Sequence, residues 1–331
     1  MAAADPDTEV QAEFPPLVRQ YKSGRVERFF NPSPLPAGTD PATGVVSKDV
    51  VVDPATGLWA RLFLPPSSSH GKKQQLPIVV YYHGGAYVIG SAADPWTHTY
   101  LNGLVAKAGV LAVALEYRLA PEHPLPAAYE DSWEGLKWVA THAATAAAGG
   151  GPEPWLTEHG DFSRVFLAGA SAGGTIAHYV AVRAGEQQGQ GDLLGVRVRG
   201  LLIVHPYFSG AADIGDEGTT GKHRKAQADA FWRFLYPGTA GLDDPLSNPF
   251  SEAAGGSAAR VAAERVLVCV AEKDDLRDRG VWYYESLKAG GYPGEVELLE
   301  SKGEGHVFYC MNPSCDRARE MEERVLSFLR K

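Results

Sequence analysis

The sequence contains few cysteines and no long apolar run, and both features reduce the number of protein classes to which it can belong. Only three of the 331 residues are cysteines, Cys269, Cys310 and Cys315, and no pair has the spacing of a zinc site or a redox motif. An odd number of cysteines in a chain of this length favours a reducing compartment. No stretch of about 18 apolar residues occurs, so we expect no membrane-spanning helix.

The chain also lacks the sequence features of nucleic-acid, metal and nucleotide sites. Its net charge is −9, and no stripe of lysine and arginine interleaved with aromatic residues offers a surface for phosphate backbones. The ten histidines have no H-E-x-x-H or comparable ligand spacing, and neither a G-x-G-x-x-G after the first strand nor a G-K-[ST] loop is present. We therefore expect no nucleic-acid partner, no metal and no cofactor.

The N-terminus lacks the features of a targeting segment. Residues 1–10 have neither the basic start nor the apolar stretch of a signal peptide, and they are too acidic for a transit peptide. Together with the cysteine content, this predicts a cytoplasmic protein. Nothing in the sequence indicates an oligomeric state.

The order of apolar and amphipathic segments predicts one α/β domain over residues 1–331. Hydrophobic residues make up 44% of the chain, which is ample for a large core. A first hairpin is expected from strands at 49–52 and 58–65, followed by a surface loop at 67–73. Short apolar runs then alternate with helical stretches, which is typical of a mostly parallel sheet with helices on both faces. The predicted strands are 77–82, 110–115, 164–167, 200–204, 266–270 and 296–299, and the predicted helices lie near 97–107, 126–145, 172–186, 280–289 and 315–330.

Two segments do not fit this alternation. Residues 1–45 are polar and punctuated by proline and glycine, with one amphipathic piece at 14–21. Residues 205–262 are longer than a simple crossover needs, and they carry Trp232 and Phe250 among other aromatic residues. An aromatic-rich insertion between strands is expected to cap a pocket.

The motif with the clearest chemical meaning is Gly-Ala-Ser-Ala-Gly at 169–173. It follows a predicted strand and opens a predicted helix, which is the context that a G-x-S-x-G motif requires. A serine on such a tight turn has an exposed hydroxyl, and only small residues two positions away let the chains pass. The sequence therefore predicts Ser171 as a nucleophile at the N-terminus of a helix.

A second glycine motif, His-Gly-Gly-Ala at 83–86, directly follows the strand at 77–82. Glycines here allow backbone N–H groups to approach a substrate oxygen. Together with the N–H of Ala172, those of Gly84 and Gly85 would form an oxyanion hole. His83 is expected to orient this loop, because the histidine of a Ser-Asp-His triad follows the serine in the chain.

A serine nucleophile needs a base and an acid that orients the base. Asp274 follows the strand at 266–270, and His306 follows the strand at 296–299. Both therefore lie at the carboxyl edge of the sheet, where Ser171 also lies and where open α/β sheets bind their ligands. The nearby carboxylates Asp275 and Asp278 compete with Asp274, whose position relative to the strand is the more favourable. The histidines at 205 and 223 precede the acid and do not fit the order.

These motifs resemble those of the plant carboxylesterases, which belong to the hormone-sensitive-lipase-like group of α/β hydrolases. The resemblance covers roughly residues 12–328 and includes His-Gly-Gly-Ala-Tyr at 83–87, a long block at 116–131, and Gly-Ala-Ser-Ala-Gly-Gly at 169–174. It implies the α/β-hydrolase fold, with a triad of Ser171, Asp274 and His306. It also implies that residues 1–45 and about 205–255 together cover the pocket, and that the substrate is a small-molecule ester.

Two positions depart from the family pattern, and two other activities occur in the family. Ala86 stands where many relatives have a third glycine, and Ala170 stands where an aspartate is usual. Gibberellin receptors resemble the family but lack the triad histidine, so His306 argues against a receptor. Isoflavanone dehydratases keep the triad and stay an open alternative. Tyr87, Trp96, Phe208 and Phe308 could form pocket walls or plain core.

Overall fold

The computed structural model describes residues 5–66, 75–147, 150–187, 193, 195–215, 217 and 222–331. The surface loop predicted at 67–73 and the side chain of His223 lie outside this part of the chain. Within it, no helix is both long enough and apolar enough to cross a membrane.

An eight-stranded sheet forms the centre of the molecule. Its strands are β4 Val46–Asp53, β5 Leu58–Leu64, β6 Leu76–Tyr82, β7 Leu111–Glu116, β8 Gly160–Ala170, β9 Val198–Val204, β10 Arg265–Ala271 and β11 Glu295–Ser301. They are arranged in the order β11-β10-β9-β8-β6-β7-β5-β4. The six strands β6 to β11 are parallel, and β5 is antiparallel to both of its neighbours. This confirms the mostly parallel sheet and the first hairpin.

The inner strands are continuous apolar runs because helices cover both of their faces. The helices are α1 Pro95–Ala108, α2 Ala127–Ala147, α3 Pro154–His159, α4 Ala172–Gln187, α5 Lys222–Leu235, α6 Arg277–Ala289, α7 Phe308–Met311 and α8 Asp316–Arg330. Residues of α1, α7 and α8 pack in one buried cluster with one face of the sheet. Residues of α2, α4 and α6 pack in a second cluster with the other face.

Helix α1 shows how local sequence sets an element boundary. Asp94 caps its N-terminus by accepting a hydrogen bond from the Thr97 N–H, and Pro95 occupies the first turn. Both features favour a helix start, because they satisfy or remove N–H groups that have no intrahelical acceptor. The helix ends at Gly109, which has a left-handed backbone with φ of 66°.

The N-terminal segment forms structure that the sequence does not predict. Strands β1 Val10–Phe14, β2 Val18–Tyr21 and β3 Val26–Arg28 make a separate antiparallel sheet. The Phe14 ring packs against Phe231 and Phe234 of α5, with centroid distances of 5.0 and 4.9 Å. The N-terminal segment and the 205–255 region are therefore in direct contact.

Candidate active site

Ser171 is the single residue between β8 and α4, and its backbone has φ of 54°. Non-glycine residues rarely adopt this left-handed conformation, so its presence here marks a constrained turn. A Cβ atom at Gly169 would collide with the Gly173 carbonyl, and one at Gly173 would collide with the Tyr82 carbonyl. The two glycines of the motif are therefore required by close backbone approach, as the motif predicts.

Backbone hydrogen bonds hold this turn without help from the residue before the serine. The Ser171 N–H donates to the Val204 carbonyl at 2.9 Å, and the Tyr207 N–H donates to the Ser171 carbonyl at 3.1 Å. Ala170, which replaces the usual aspartate, leaves the turn intact. Ser171 lines a cavity, and its hydroxyl has no hydrogen-bond partner among the described residues. Such contacts in unliganded enzymes often form only when substrate binds.

Gly84 and Gly85 lie beside Ser171 in the wall of the same cavity. A Cβ atom at Gly84 would be 3.3 Å from the Ser171 Cβ, and one at Gly85 would collide with the Ile89 carbonyl. Ala172 is buried at the start of α4 and is not itself part of the cavity wall. In the described part of the chain, the amides of Gly84, Gly85 and Ala172 donate no hydrogen bond.

His83 orients the glycine loop, as its place in the sequence predicts. Its Nδ1 donates to the Gly84 carbonyl at 2.7 Å, and its ring stacks on Tyr117 with a centroid distance of 4.1 Å. The Tyr117 hydroxyl in turn donates to the His83 carbonyl at 2.7 Å. Ala86, which replaces a third glycine, has φ of 51°, a conformation that costs a non-glycine residue about 1 kcal/mol. This loop stores strain beside the serine.

Asp274 and His306 meet at the carboxyl edge of the sheet. Each follows a strand, β10 for Asp274 and β11 for His306, and the His306 Nδ1 donates to Asp274 Oδ2 at 2.7 Å. This bond leaves the Nε2 of His306 as the nitrogen that can accept a proton. The second carboxylate oxygen of Asp274 accepts the Leu276 N–H at 3.0 Å. Two hydrogen bonds thus hold the carboxylate toward the histidine.

The contacts of Asp274 keep it ionised. Burial by itself raises the pKa of this carboxyl group, but the hydrogen bond and charge of His306 and the Leu276 amide outweigh burial and lower the pKa below its ordinary value. The rival acids have other surroundings. Asp275 is exposed, and Asp278 accepts a hydrogen bond from Arg277 at 2.7 Å. The carboxylate in contact with His306 is that of Asp274.

His205 has a structural role that the sequence analysis missed. Its Nδ1 accepts the Val307 N–H at 2.9 Å, so it fixes the residue next to His306. Its Nε2 is buried without a partner among the described residues. Burial lowers the pKa of His205 to about 4, despite the nearby charge of Asp274, so the ring is neutral. The available signal was its position directly after β9, at the same edge of the sheet.

His205, Asp274 and His306 place possible metal-ligand atoms within 4.8 Å of one another. The Nδ1 atoms of both histidines already take part in hydrogen bonds, one with Val307 and the other with Asp274. This pattern suits orientation of a base and transfer of a proton.

The cavity that contains Ser171 and His306 has a volume of about 500 Å³. Its wall is largely apolar and aromatic, with contributions from the N-terminal segment (Leu17, Phe30 and Pro32), from α1 and from Tyr207. Of the four aromatic residues considered from sequence as possible walls, only Trp96 is in the lining. The other three are buried core residues: Tyr87, Phe208 and Phe308.

Comparison with known proteins shows the family to which the chain belongs. A family model described as the α/β hydrolase fold matches residues 79–310. The chain is 44% identical to a 2-hydroxyisoflavanone dehydratase of Glycyrrhiza echinata, covering 97% of this chain and 96% of that protein. It is 44% identical to the chloroplastic tuliposide A-converting enzyme 1 of Tulipa gesneriana, covering 98% and 79%, and 41% identical to probable carboxylesterase 2 of Arabidopsis thaliana, covering 97% and 96%.

The fold is also similar to that of solved esterases. The hyperthermophilic esterase from the archaeon Pyrobaculum calidifontis superposes with a TM-score of 0.65 at 26% identity, over 86% of this chain and 82% of that one. The extent of these matches, together with the motifs around Ser171, identifies the protein family. The chain belongs to the plant carboxylesterase family of the α/β hydrolases.

Proposed function

We propose that this carboxylic ester hydrolase acts through an acyl-enzyme intermediate on Ser171, with His306 as the base and Asp274 as the group that orients it. The observation that carries the proposal is the 2.7 Å hydrogen bond from His306 to Asp274 at the edge of a cavity that also contains Ser171 and Gly84. A serine, a base and an oriented acid in one site are the requirements of nucleophilic acyl transfer.

In the first step the Ser171 oxygen attacks the ester carbonyl, and its proton passes to the Nε2 of His306. The carbonyl oxygen becomes an oxyanion that the amides of Gly84, Gly85 and Ala172 stabilise, each of which is worth about 2.7–4 kcal/mol in comparable enzymes. Collapse of the intermediate breaks the ester bond, and His306 returns the proton to the departing alcohol. Water, deprotonated by His306, then attacks the acyl carbon. The bond from that carbon to the Ser171 oxygen breaks, His306 returns the proton to the Ser171 oxygen, and the carboxylic acid leaves.

The substrate is a small-molecule ester, and the cavity wall favours an apolar, uncharged one. We propose that residues 1–45 and about 205–255 cap this cavity within a single domain spanning 1–331. Leu17, Phe30 and Tyr207 in the cavity wall support this, as does the packing of Phe14 against α5. A cytoplasmic location stays a prediction, which imaging of a fluorescent fusion in plant cells would test.

A dehydratase is the second candidate, because one relative at 44% identity carries that name. Such an enzyme would eliminate water from a hydroxylated phenolic substrate, with a base such as His306 removing a proton. A receptor without turnover is a weaker candidate, because the histidine and aspartate would then have no catalytic use.

Labelling with a fluorophosphonate probe tests the proposal directly. Wild-type protein should be modified at Ser171, as located by peptide mass spectrometry, and His306→Ala should react at least about 100-fold more slowly because the base is lost. Labelling at another residue would contradict the assignment. Turnover of 2-hydroxyisoflavanone without hydrolysis of p-nitrophenyl butyrate would favour the dehydratase.

A further inference from the structure

A second cavity, with a volume of about 470 Å³, adjoins the catalytic one. It lies between α1 and α8. In the part of the chain that the structure describes, four residues line both cavities: Trp96, Tyr100, Tyr309 and Cys310. The two spaces therefore meet along a shared wall of these side chains, two from α1 and two from α7.

This shared wall carries no charge. The rings of Tyr100 and Tyr309 meet edge to face at a centroid distance of 5.4 Å. The ring of Tyr81, which lines the catalytic cavity, has a centroid distance of 5.9 Å from that of Tyr100. Burial raises the pKa of the Cys310 thiol to about 12, so it is neutral as well. A hydrocarbon group that runs past this wall from one cavity to the other would meet no desolvated charge there, which would otherwise be costly.

The second cavity is itself suited to an apolar occupant. Leu104, Met321 and Val325 belong to the buried cluster on this face of the sheet, and they form part of its lining. The lining has three charged residues: Lys107 and Glu322 pair with each other at 2.6 Å, and Asp40 accepts hydrogen bonds from the amide and the hydroxyl of Thr43 at 2.7 Å. Their charges are thus satisfied without a ligand, and the space favours hydrocarbon over an ion.

Gly103 leaves this cavity open. It lies inside α1 and lines the cavity, and a Cβ atom there would meet nothing within 4 Å. Glycine is among the least favourable residues in a helix interior, and no close backbone approach requires it here. The structural consequence of this glycine is empty space where a larger side chain would stand.

We propose that the second cavity binds the apolar tail of an ester whose carbonyl carbon lies at Ser171. This inference rests on the proposed function and adds the substrate class, which is esters with a hydrophobic group too long for the catalytic cavity alone. The tail would pass Trp96, which stacks on Phe30 at 4.8 Å at the border between the cavities. Each cavity is within the size range of small-ligand sites.

The test fills the second cavity from α1. Gly103→Phe places a ring in the open space, and Gly103→Ala is the matched control that changes helix propensity without filling the cavity. Two series of esters are compared, p-nitrophenyl acyl esters from acetate to decanoate and alkyl acetates from ethyl to decyl. For each variant we compare the ratio of kcat/KM for the longest ester to kcat/KM for the shortest ester of a series. We expect this ratio to be at least about tenfold lower in Gly103→Phe than in Gly103→Ala for one of the two series, because each methylene group removed from water changes kcat/KM several-fold.

The outcomes separate the alternatives. A reduced ratio in the acyl series assigns the tail to the acid part of the substrate, and a reduced ratio in the alkyl series assigns it to the alcohol part. An unchanged ratio in both series, with short esters still hydrolysed, overturns the inference and leaves the proposed function standing. If no ester is hydrolysed at all, the inference is tested by calorimetric titration of Ser171→Ala and of the double variant Ser171→Ala/Gly103→Phe. Ser171→Ala should bind the decanoate ester more tightly than the acetate ester, and this difference must disappear in the double variant.

Discussion

Asp274 and His306 form the contact on which the proposed chemistry depends. Their hydrogen bond is short, the carboxylate is buried, and its pKa is lowered by its partners. Asp274 is therefore ionised throughout the neutral range, and it holds the Nε2 of His306 free to accept a proton. In this geometry the aspartate acts on the substrate only through the histidine.

Asp274→Asn should preserve the shape of the site while presenting an N–H or a neutral oxygen to the Nδ1 of His306. We expect kcat for a p-nitrophenyl ester to fall about 10³–10⁴-fold, because the imidazole loses its oriented tautomer and its partner charge. Steady-state kinetics of Asp274→Asn measures this loss, and Asp278→Asn, measured in the same way, is the control. An equal loss in Asp278→Asn would show that the acid has been assigned to the wrong residue.

We interpret His205 as a positioning residue, because its Nδ1 fixes the Val307 amide next to His306. His205→Phe removes that acceptor, and kcat should fall about 10–100-fold with a smaller change in KM, as expected from a misplaced base. His205→Asn can present an amide oxygen near the former Nδ1 and should recover part of the loss. If the two variants behave alike in kcat and in pH profile, the role of His205 is only to fill space.

The strand-to-helix element around Ser171 depends on backbone contacts that exclude side chains. Gly173→Ala should lower the free energy of unfolding by about 3 kcal/mol, because the added methyl collides with the Tyr82 carbonyl. Gly103→Ala, in the open interior of α1, should raise it by about 0.5–1 kcal/mol. Urea unfolding followed by circular dichroism measures both. A Gly173→Ala variant more stable than the wild type would contradict this steric explanation of the turn at Ser171.

The elements differ in how far the sequence predicts them. The buried strands are predicted because each is a continuous apolar run, and the helices α1, α2, α4, α6 and α8 are predicted because helix-length segments lie between or after those runs. The N-terminal sheet is not predicted, since β1 to β3 are short and only partly buried, and their stability depends on contacts distant in sequence, such as Phe14 with α5. Helix α5 lies in a region recognised as an insertion but not as a helix.

The same distinction holds within the site. Ser171, Gly84, Gly85, Asp274 and His306 can be proposed from motifs and chain order alone, because strand ends of a parallel sheet meet at one edge. The contact between His205 and Val307 cannot, because it joins two loops about a hundred residues apart and has no motif. Nor does the sequence indicate that Tyr87 and Phe208 are core residues while Trp96 lines the cavity.

At the scale of the whole molecule, acid should destabilise the fold through its buried neutral histidines. The pKa of His205 falls to about 4 through burial, and that of His178 falls to about 3 for the same reason. Between about pH 6.5 and these two pKa values, the unfolded chain binds protons that the folded chain does not. The contribution of the two histidines to the free energy of unfolding is therefore fully present above about pH 6.5, and it declines as the pH falls below that value. For His205 the pKa change corresponds to about 3 kcal/mol.

Urea unfolding at pH 7 and pH 4.5 tests this linkage. The wild type should lose more stability between the two pH values than His205→Asn does, because the variant has no group to titrate at that position. A pH dependence identical in the two proteins would show that the buried ring of His205 contributes nothing to acid sensitivity.

The proposed chemistry requires that Ser171 carries the acyl group and that a histidine activates it. The most direct measurement is hydrolysis of p-nitrophenyl butyrate by purified wild-type protein and by Ser171→Ala, from about pH 5 to 9. The wild type should hydrolyse the ester across this range, and Ser171→Ala should show no turnover above the uncatalysed rate. Activity retained by Ser171→Ala, or a folded wild-type protein with no turnover above the variant, would contradict it.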